Sequence, residues 1–506
     1  MVYRTNGYNE KVRIRLVKTA SGAKAIQVVD YRGKRAIIRK HIGSAKTKED
    51  LSFLTDLARQ WIVQSSGQQS LLPERTDDDV LLGKYRYRGF RYGLTQEVIQ
   101  QMFTTLGLGN VGGKTGKMLL DLVLIRVVEP ASKRESQRLL SAFFGIQYDL
   151  TAIYRSLTEF SRLKDAVEKQ LIAFAQKRLD FNFSFVLYDI TTLYFETFTD
   201  DDLRKTGFSK DNKVGQPQIL VGLIVSREGF PLSFTVFEGN TFEGNTLIPV
   251  ILDFKKKHEI QTLTVVADAA MISHKNIAAL KEAGLSYIVG ARLGNMNQHI
   301  ISRIDRELTR TDGACGRLAT EDGFLVVHFS AKRYAKDKHE LERQLEKAKG
   351  ILEGKREVKR NKFLSRSAKT AYVLNTSVIK KTQLLLGIKG YHTDLHLSEK
   401  IIIDRYADLW QIERAFRISK NDLTARPIYH FHRQTIIAHL LICVVALAVL
   451  KLMEMKTGKS AHWVMEQLKS VTDGRMLNTI TGKEITLRGE LTDDIQRLLK
   501  QIHSPH

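Results

Sequence analysis

The sequence predicts an α/β protein built on a mixed sheet, and three observations lead there. Residues 181–294 run strand, hairpin, helix, strand, helix, strand, an order that lays helices against a mixed sheet. Helix-patterned segments fill residues 94–179 before it. Two of the predicted strands, "FSFVLYDI" and "TLTVVADAAM", each run into an aspartate, Asp189 and Asp268.

The elements follow in chain order. Residues 1–45 alternate apolar and polar positions in "KVRIRLV", "KAIQVVDY" and "RAIIRK", separated by "ASG" and "RGK", which reads as a three-stranded meander with a basic exposed face. "TKED" at Thr47–Asp50 resembles a capping box opening the helix "LSFLTDLARQWIV", and a polar linker occupies 65–80. In 94–179 four stretches, from "LTQEVIQQMFTTLGL" to "TAIYRSLTEFSRLKDAVEKQLIAFAQKRL", place apolar residues three and four apart. Lys133, Arg134, Arg138 and Arg155 of this helical domain are candidates to track phosphates, or simply belong to a solvated helix face.

"GLGNVGGKTGK", residues 107–117, imitates a phosphate-binding loop. The motif needs a glycine five residues before Gly113, and that position is Leu108; the segment also follows a helix, so an interhelical loop is expected. From 181 onward come the central strand "FSFVLYDI", the hairpin "QILVGLIVS"/"FPLSFTVFEG", the helix "NTLIPVILDFKKKH" with Asn245 as candidate cap, the strand holding Asp268, the helix "SHKNIAALKEA" and the strand "LSYIVGAR". The duplicated "FEGNTFEGNT" is too short for a repeat fold and suits a turn; its Glu238 and Glu243 read as solvated turn acids, with an approach to a metal as the alternative. Residues 295–390 interrupt the pattern with the strands "GFLVVHFS" and "TAYVLNTS". Between them, 332–369 hold fourteen Lys/Arg against six Asp/Glu, a helical segment of net +8. The expected segments are thus 1–80, 81–180, 181–294, 295–390, 391–455 and a helical 456–506.

Composition narrows the function. The 506 residues carry 79 Lys+Arg against 55 Asp+Glu, a net charge of +24, which favours a polyanionic partner, nucleic acid before membrane. Cys315 and Cys443, at no metal-ligand spacing, argue against a disulfide framework and a structural zinc site. "MVYRTNGYNEKV" lacks the apolar core of a signal peptide. The apolar run 436–450 is shorter than the ~20 residues of a spanning helix and is interrupted by His439, so a buried core helix is expected, in a cytoplasmic, reduced protein.

Active sites of open α/β sheets gather at strand ends. One strand-end aspartate is an ordinary turn residue; two in one sheet, beside a basic surface, suit a Mg²⁺ site that keeps coordination places for phosphate. A third carboxylate is offered by "YADLWQIERAFRISKNDL". There Tyr406, Glu413 and Lys420 stand seven apart, close to two helical turns, and share one face, with Arg417 one turn beyond Glu413. An amphipathic helix with ordinary ion pairs is the competing reading.

These residues resemble a known family. The Tyr406–Glu413–Lys420 spacing is similar to the Tyr-x2-Arg-x3-Glu-x6-Lys signature of bacterial insertion-sequence transposases of the DDE class. "FVLYDITTLYF", "VVADAAMIS" and "FRISKNDLTARPIYHFHRQTIIAHLLIC" also look like that family, and the resemblance spans about residues 1–455. It implies an RNase H-like core with Asp189, Asp268 and Glu413 as acidic triad and a β-rich insertion between the second and third acids. It implies two Mg²⁺ or Mn²⁺ ions roughly 3.5–4 Å apart. Water would attack at the transposon end and the freed 3′-hydroxyl would attack target DNA, with Lys420 and Tyr406 gripping the flanking phosphates. Two departures stand out: the signature arginine is Leu409, so its phosphate contact comes from elsewhere, Arg405 or Arg417 being candidates, and Ala269 and Ala270 follow Asp268 where a glycine often lies nearby. Lys355, Arg356, Lys359 and Arg360 of the basic insertion are expected to clamp the DNA backbone. The partners would be double-stranded transposon ends, with their terminal inverted repeats, and target DNA, bound by a dimer, with no membrane. A metal-dependent nuclease would cut without joining, and a non-catalytic DNA-binding protein would explain the charge but not the ordered acids.

Overall fold

A computed structural model of the chain describes residues 12–32, 35–65, 84–179, 181, 183–208, 215–271, 273–357, 361–366 and 372–504. The polar linker expected at 65–80 lies almost entirely outside these residues. The fold divides into two compact units: residues 1–96, 141–146 and 467–496 form one, and residues 97–140, 147–466 and 497–506 the other. The division cuts through two of the six segments read from the sequence, 81–180 and 456–506.

In the first unit the meander forms as β1 (Val12–Lys18), β2 (Lys24–Arg32) and β3 (Arg35–Ala45), all antiparallel. Alternation puts Ile14, Ile26 and Val28 on one face, where Leu54 and Ala58 of α1 (Lys48–Ser65) cover them. Thr47 Oγ1 accepts from the Asp50 N–H at 3.1 Å, the capping contact that the sequence suggested. β4 (Tyr85–Arg91) belongs to a second small sheet, completed by two strands from near the C-terminus.

Five helices follow: α2 (Gly93–Thr105), α3 (Gly113–Val128), α4 (Lys133–Phe144), α5 (Leu150–Arg162) and α6 (Lys164–Arg178). Gly112, at φ 73°, turns the chain into α3, so "GLGNVGGKTGK" is the expected interhelical connection. Asp149 accepts from the Thr151 and Ala152 N–H groups to start α5. Lys133 does not track phosphate on a surface: it is 4% exposed, and its burial near Arg126 depresses its pKa to about 7. Arg138 is tied to Glu135 at 2.6 Å.

The large sheet comes next: β5 (Val186–Tyr194), β6 (Gln218–Val225), β7 (Pro231–Glu238), α7 (Leu247–Lys257), β8 (Thr264–Ala267), α8 (His274–Glu282) and β9 (Ser286–Ala291). Its order here is β7-β6-β5-β8-β9, antiparallel through β7, β6 and β5 and parallel through β5, β8 and β9, the mixed arrangement of an RNase H-like core. Asn245 does not cap α7. Thr246 takes that place without a side-chain cap bond, its hydroxyl donating to the Glu243 carbonyl and facing Tyr188 Oη at 3.0 Å.

The segment 295–390 is not a separate body. After α9 (Gln298–Glu307), β10 (Cys315–Thr320) and β11 (Gly323–Phe329) extend the core sheet, and β14 (Ile388–Thr393) joins them to β9, giving the order β10-β11-β14-β9-β8-β5-β6-β7. Between β11 and β14 lie the basic helix α10 (Ala331–Leu352), the short pair β12 (Leu364–Arg366) and β13 (Tyr372–Leu374), and α11 (Thr376–Leu384). "TAYVLNTS" therefore contributes only a three-residue strand. Leu325, Val327 and Phe329 of β11 pack with Leu293, Ile304 and Leu308, leaving Val326 and His328 on the other face.

The chain closes with α12 (Glu399–Ala407), α13 (Trp410–Arg417), a π-helical turn (Ile418–Asp422), α14 (Arg433–Thr457), α15 (Ala461–Ser470), β15 (Asp473–Asn478), β16 (Glu484–Arg488) and α16 (Asp493–His503). β15 pairs with both β16 and β4. The apolar run at 436–450 is the middle of a 25-residue helix, long and apolar enough to cross a membrane by length and composition. Yet 94% of its most apolar window is buried inside the fold, as expected of a core helix.

One buried charge ties this unit together. Glu168 of α6 is fully buried, accepts from Ser233 Oγ at 3.0 Å and the Phe234 N–H at 3.1 Å, and pairs with Lys164 at 2.8 Å and Lys257 at 2.7 Å. Glu168→Ala takes the acceptor from the Phe234 N–H and the carboxylate from Lys164, while Lys257 keeps Asp165 at 2.5 Å, and should cost about 3 kcal/mol. A denaturant midpoint unchanged from wild type would show that the network contributes nothing.

Candidate active site

The register between β5 and β8 builds the site. Val186, Leu187 and Tyr188 pair in parallel with Val265, Val266 and Ala267, so the next residue on each strand is an aspartate, Asp189 beside Asp268. Asp189 is not at the end of its strand. β5 runs on to Tyr194, paired with β6 alone, while β8 stops at Ala267. What ends just before Asp189 is the parallel pairing with β8. Asp189 Oδ1 accepts from the Ile190 N–H at 2.7 Å, which offsets part of the cost of a partly buried charge.

The same row continues across the sheet. Ala267 pairs with Val289, and Gly290 with Tyr391, so Asp189, Asp268, Gly290 and Tyr391 fall side by side. Gly290 is required by its neighbour: a Cβ there would stand 2.5 Å from Tyr406 Oη and 3.0 Å from the Ala269 Cβ. In that gap the buried Tyr406 hydroxyl donates to Asp268 Oδ1 at 3.0 Å. Burial, and then the charge of Asp268 and the hydrogen bond to it, push the Tyr406 phenol well above its ordinary range, so it stays a donor.

Tyr406 reaches the sheet from α12, started by Ser398, whose hydroxyl accepts from the Ile401 N–H. The sequence predicts one helix carrying Tyr406, Glu413 and Lys420. The chain instead turns at Asp408 and Leu409, resumes as α13, and widens into the π turn that holds Lys420. Glu413, exposed on α13, completes a cavity of about 250 Å³ with Asp189, Asp268, Lys389, Tyr406, Ala407, Leu409, Trp410 and Ile412. The three predicted acids and Tyr406 are thus brought together; Lys420 and Arg417 are not among the lining residues.

Three carboxylates with a phenol form a hard-oxygen donor set suited to Mg²⁺ or Mn²⁺. Among the described residues, no group of three His, Cys, Asp or Glu is drawn to ligating distance. Arg405, one candidate for the missing phosphate contact, lies against Phe185 and 3.4 Å from Asp408. Leu409 is buried. Lys355 pairs with Glu353 at 2.7 Å, and Arg356 is exposed; Lys359 and Arg360 lie outside the described residues.

Sequence reasoning missed two contributors. Lys389 of β14 lines the cavity, its ammonium 4.5 Å from the Tyr406 ring centre and 5.6 Å from that of Tyr391. Burial and the nearby Arg333 guanidinium lower its pKa, while Asp268 and Glu413 pull it back. Tyr391 in turn stacks on His328 of β11 at 5.6 Å and lies 4.6 Å from Tyr406. The inserted segment therefore forms one wall of the site. Its only sequence signal was the alternation of "IKGYHT", which carries no chemistry by itself.

An α/β sheet that brings three acids and a lysine to one cavity in a basic chain defines a class of enzyme acting on phosphodiesters. The chain belongs to the DDE transposases: the family model described as Transposase DDE domain matches residues 184–448, more than half of its length. It is a transposase, cleaving and transferring DNA strands by metal-dependent phosphoryl transfer. Among solved structures, the chain is similar to the piggyBac transposase synaptic complex with hairpin DNA. The identity is 10%, covering 74% of this chain and 76% of that one, with a TM-score of 0.39. It is also similar to the Mos1 transposase paired-end complex with the left transposon end, at 10% identity, 46% and 66% coverage and a TM-score of 0.16. A comparison with curated proteins finds no match.

Gly290→Ala should slow strand cleavage on the order of 10²-fold by moving the Tyr406 hydroxyl off Asp268, the size of effect expected for ångström misplacement at a reacting centre. The check is single-turnover cleavage of a transposon-end duplex beside a thermal melt. Wild-type cleavage would mean that the Tyr406 contact does not matter.

Proposed function

We propose that Asp189, Asp268 and Glu413 are the catalytic carboxylates of this transposase and hold its divalent ions, Mg²⁺ or Mn²⁺, as a pair. The observation that carries this reading is the convergence of the three acids, from β5, from the residue after β8 and from α13, on one cavity. When bound, the metal supplies Lewis-acid activation of an attacking oxygen and charge neutralisation at the phosphate. The protein contributes position. β5 and β8 fix two carboxylates side by side, Tyr406 orients Asp268, and Leu409 and Ile412 add apolar lining to the cavity. Phosphoryl transfer needs little more than placement and charge stabilisation, so no protein nucleophile is invoked.

The DNA on which it acts comprises the double-stranded ends of its element, with their terminal inverted repeats, and the target, and two chains pair the two ends. Lys420, in the π turn that follows α13, and Arg417 contact phosphates beside the reacting bond. The helical segment 81–180 and the basic insertion, with Lys355, Arg356, Lys359 and Arg360, grip the backbone. The reaction takes place in the cytoplasm. The charge of +24 supports this partner, because phosphate contacts by Lys and Arg supply most non-specific affinity.

Asp189→Asn, Asp268→Asn and Glu413→Gln should each abolish cleavage and strand transfer on a terminal-repeat duplex in Mg²⁺, while DNA affinity stays within a few fold. Cleavage by any of them at the wild-type rate would remove that acid from the site. Lys355→Gln with Arg356→Gln should flatten the plot of log affinity against log salt by up to about 1.8 if both touch phosphate. Superimposable slopes would remove the pair from the DNA interface.

A further inference from the structure

We propose that Lys389 is the cation that contacts the reacting phosphate in this transposase, in the role left open by the apolar Leu409. The inference rests on the reading of the acid cavity as the catalytic site. Among the described residues that line that cavity, Lys389 is the only lysine or arginine. It is fixed by the sheet: β14 pairs Gly390 with Ala291 and Tyr391 with Gly290, so Lys389 projects from the face on which Asp268 and Tyr391 lie, two residues along its strand.

Its surroundings are those of a cation awaiting an anion. Lys389 is partly buried, held over the Tyr406 and Tyr391 rings at 4.5 and 5.6 Å. Among the described residues it makes no ion pair within 4 Å, although the charges of Asp268 and Glu413 reach it. Aromatic faces hold an ammonium in place without neutralising it. Arg405 pairs with Asp408 and Arg414 with Glu454 at 2.6 Å, while Arg417 and Lys420 do not line the cavity, so the contacts proposed for those two fall on phosphates flanking the reacting one. A phosphodiester entering the cavity would give the Lys389 ammonium a direct anionic partner. As the attacking oxygen bonds to phosphorus and the leaving oxygen departs with the electron pair of the broken P–O bond, charge on the non-bridging oxygens must be stabilised. A donor already fixed there does so with little reorganisation.

The test compares wild type, Lys389→Met, Lys389→Gln and Lys389→Arg in single-turnover cleavage of a terminal-repeat duplex at saturating Mg²⁺, beside DNA affinity and a thermal melt. Each duplex is also made with a sulfur in place of either non-bridging oxygen at the scissile phosphate. Loss of one such donor typically slows catalysis by about 10²–10³-fold. That loss is expected for Met and Gln, with affinity within a few fold, partial recovery in Arg, and a sulfur effect smaller in Met than in wild type. Wild-type cleavage by both Met and Gln, or slowing with an unchanged sulfur effect, would overturn the assignment. Asp189→Asn is run in parallel. If it too cleaves normally, the reading of the cavity fails; if it is silent while Met cleaves normally, only the role of Lys389 fails.

Discussion

Three parallel backbone pairs hold up everything that this protein does at its site. Val186–Val265, Leu187–Val266 and Tyr188–Ala267 bring the following aspartates next to each other, at the 4.7–4.9 Å or so that separates neighbouring strands. The side-chain period of a strand is two, so a slip of one residue would send Asp189 to one face and Asp268 to the other. The apolar residues around them are what forbid the slip: Val186, Leu187, Tyr188, Val265, Val266 and Ala267 are all buried, and moving either strand would pull that set out of the core. The placement of two like charges is thereby imposed by packing rather than by attraction between them.

The helix pair above the sheet answers the same constraint from the other side. Tyr406 enters only because Gly290 has no side chain, and Glu413 is carried past the turn at Asp408–Leu409 to the cavity rim. The phenol gives Asp268 a donor, while Lys389 tempers the repulsion among three acids without closing on any of them. The result is a small negative pocket in a strongly basic chain. A polyanion is drawn to the molecule by long-range charge yet meets acids at the proposed site, an arrangement that suits cations and phosphate sharing the same few ångströms.

Much of this was legible in the sequence. The order of the core elements, the meander, the core helix and the three acids all follow from periodicity and from residues whose chemistry is out of place in an apolar run. What stayed hidden has a physical reason in each case. Asp189 reads as a strand end because the run of β-prone apolar residues is broken there, but β5 continues through Thr191 and Thr192, and only pairing with β6 decides that. A seven-residue spacing implies one straight helix, and cannot reveal a turn at Asp408 or a π turn at Ile418. Lys389 is invisible because its partners are distant in sequence: a lysine in "IKGYHT" gains meaning only when β14 is laid against β9. Asn245 reads as a cap from its residue type, whereas the hydroxyl of Thr246 is drawn to Tyr188 instead.

The extension of the core sheet by β10, β11 and β14 bears on how such a chain can change over time. A segment attached at its two ends could be lengthened, trimmed or exchanged as a cassette. This one supplies three of eight strands and a wall of the acid cavity, so removing it would uncover the β9 edge and take Tyr391 and Lys389 away together. The excursion between β11 and β14, with its helix and short hairpin, stands outside the ladder, so a change of length there would leave the strand pairing intact. The fold thus separates a part whose loss would open the sheet from a part that could change without touching it.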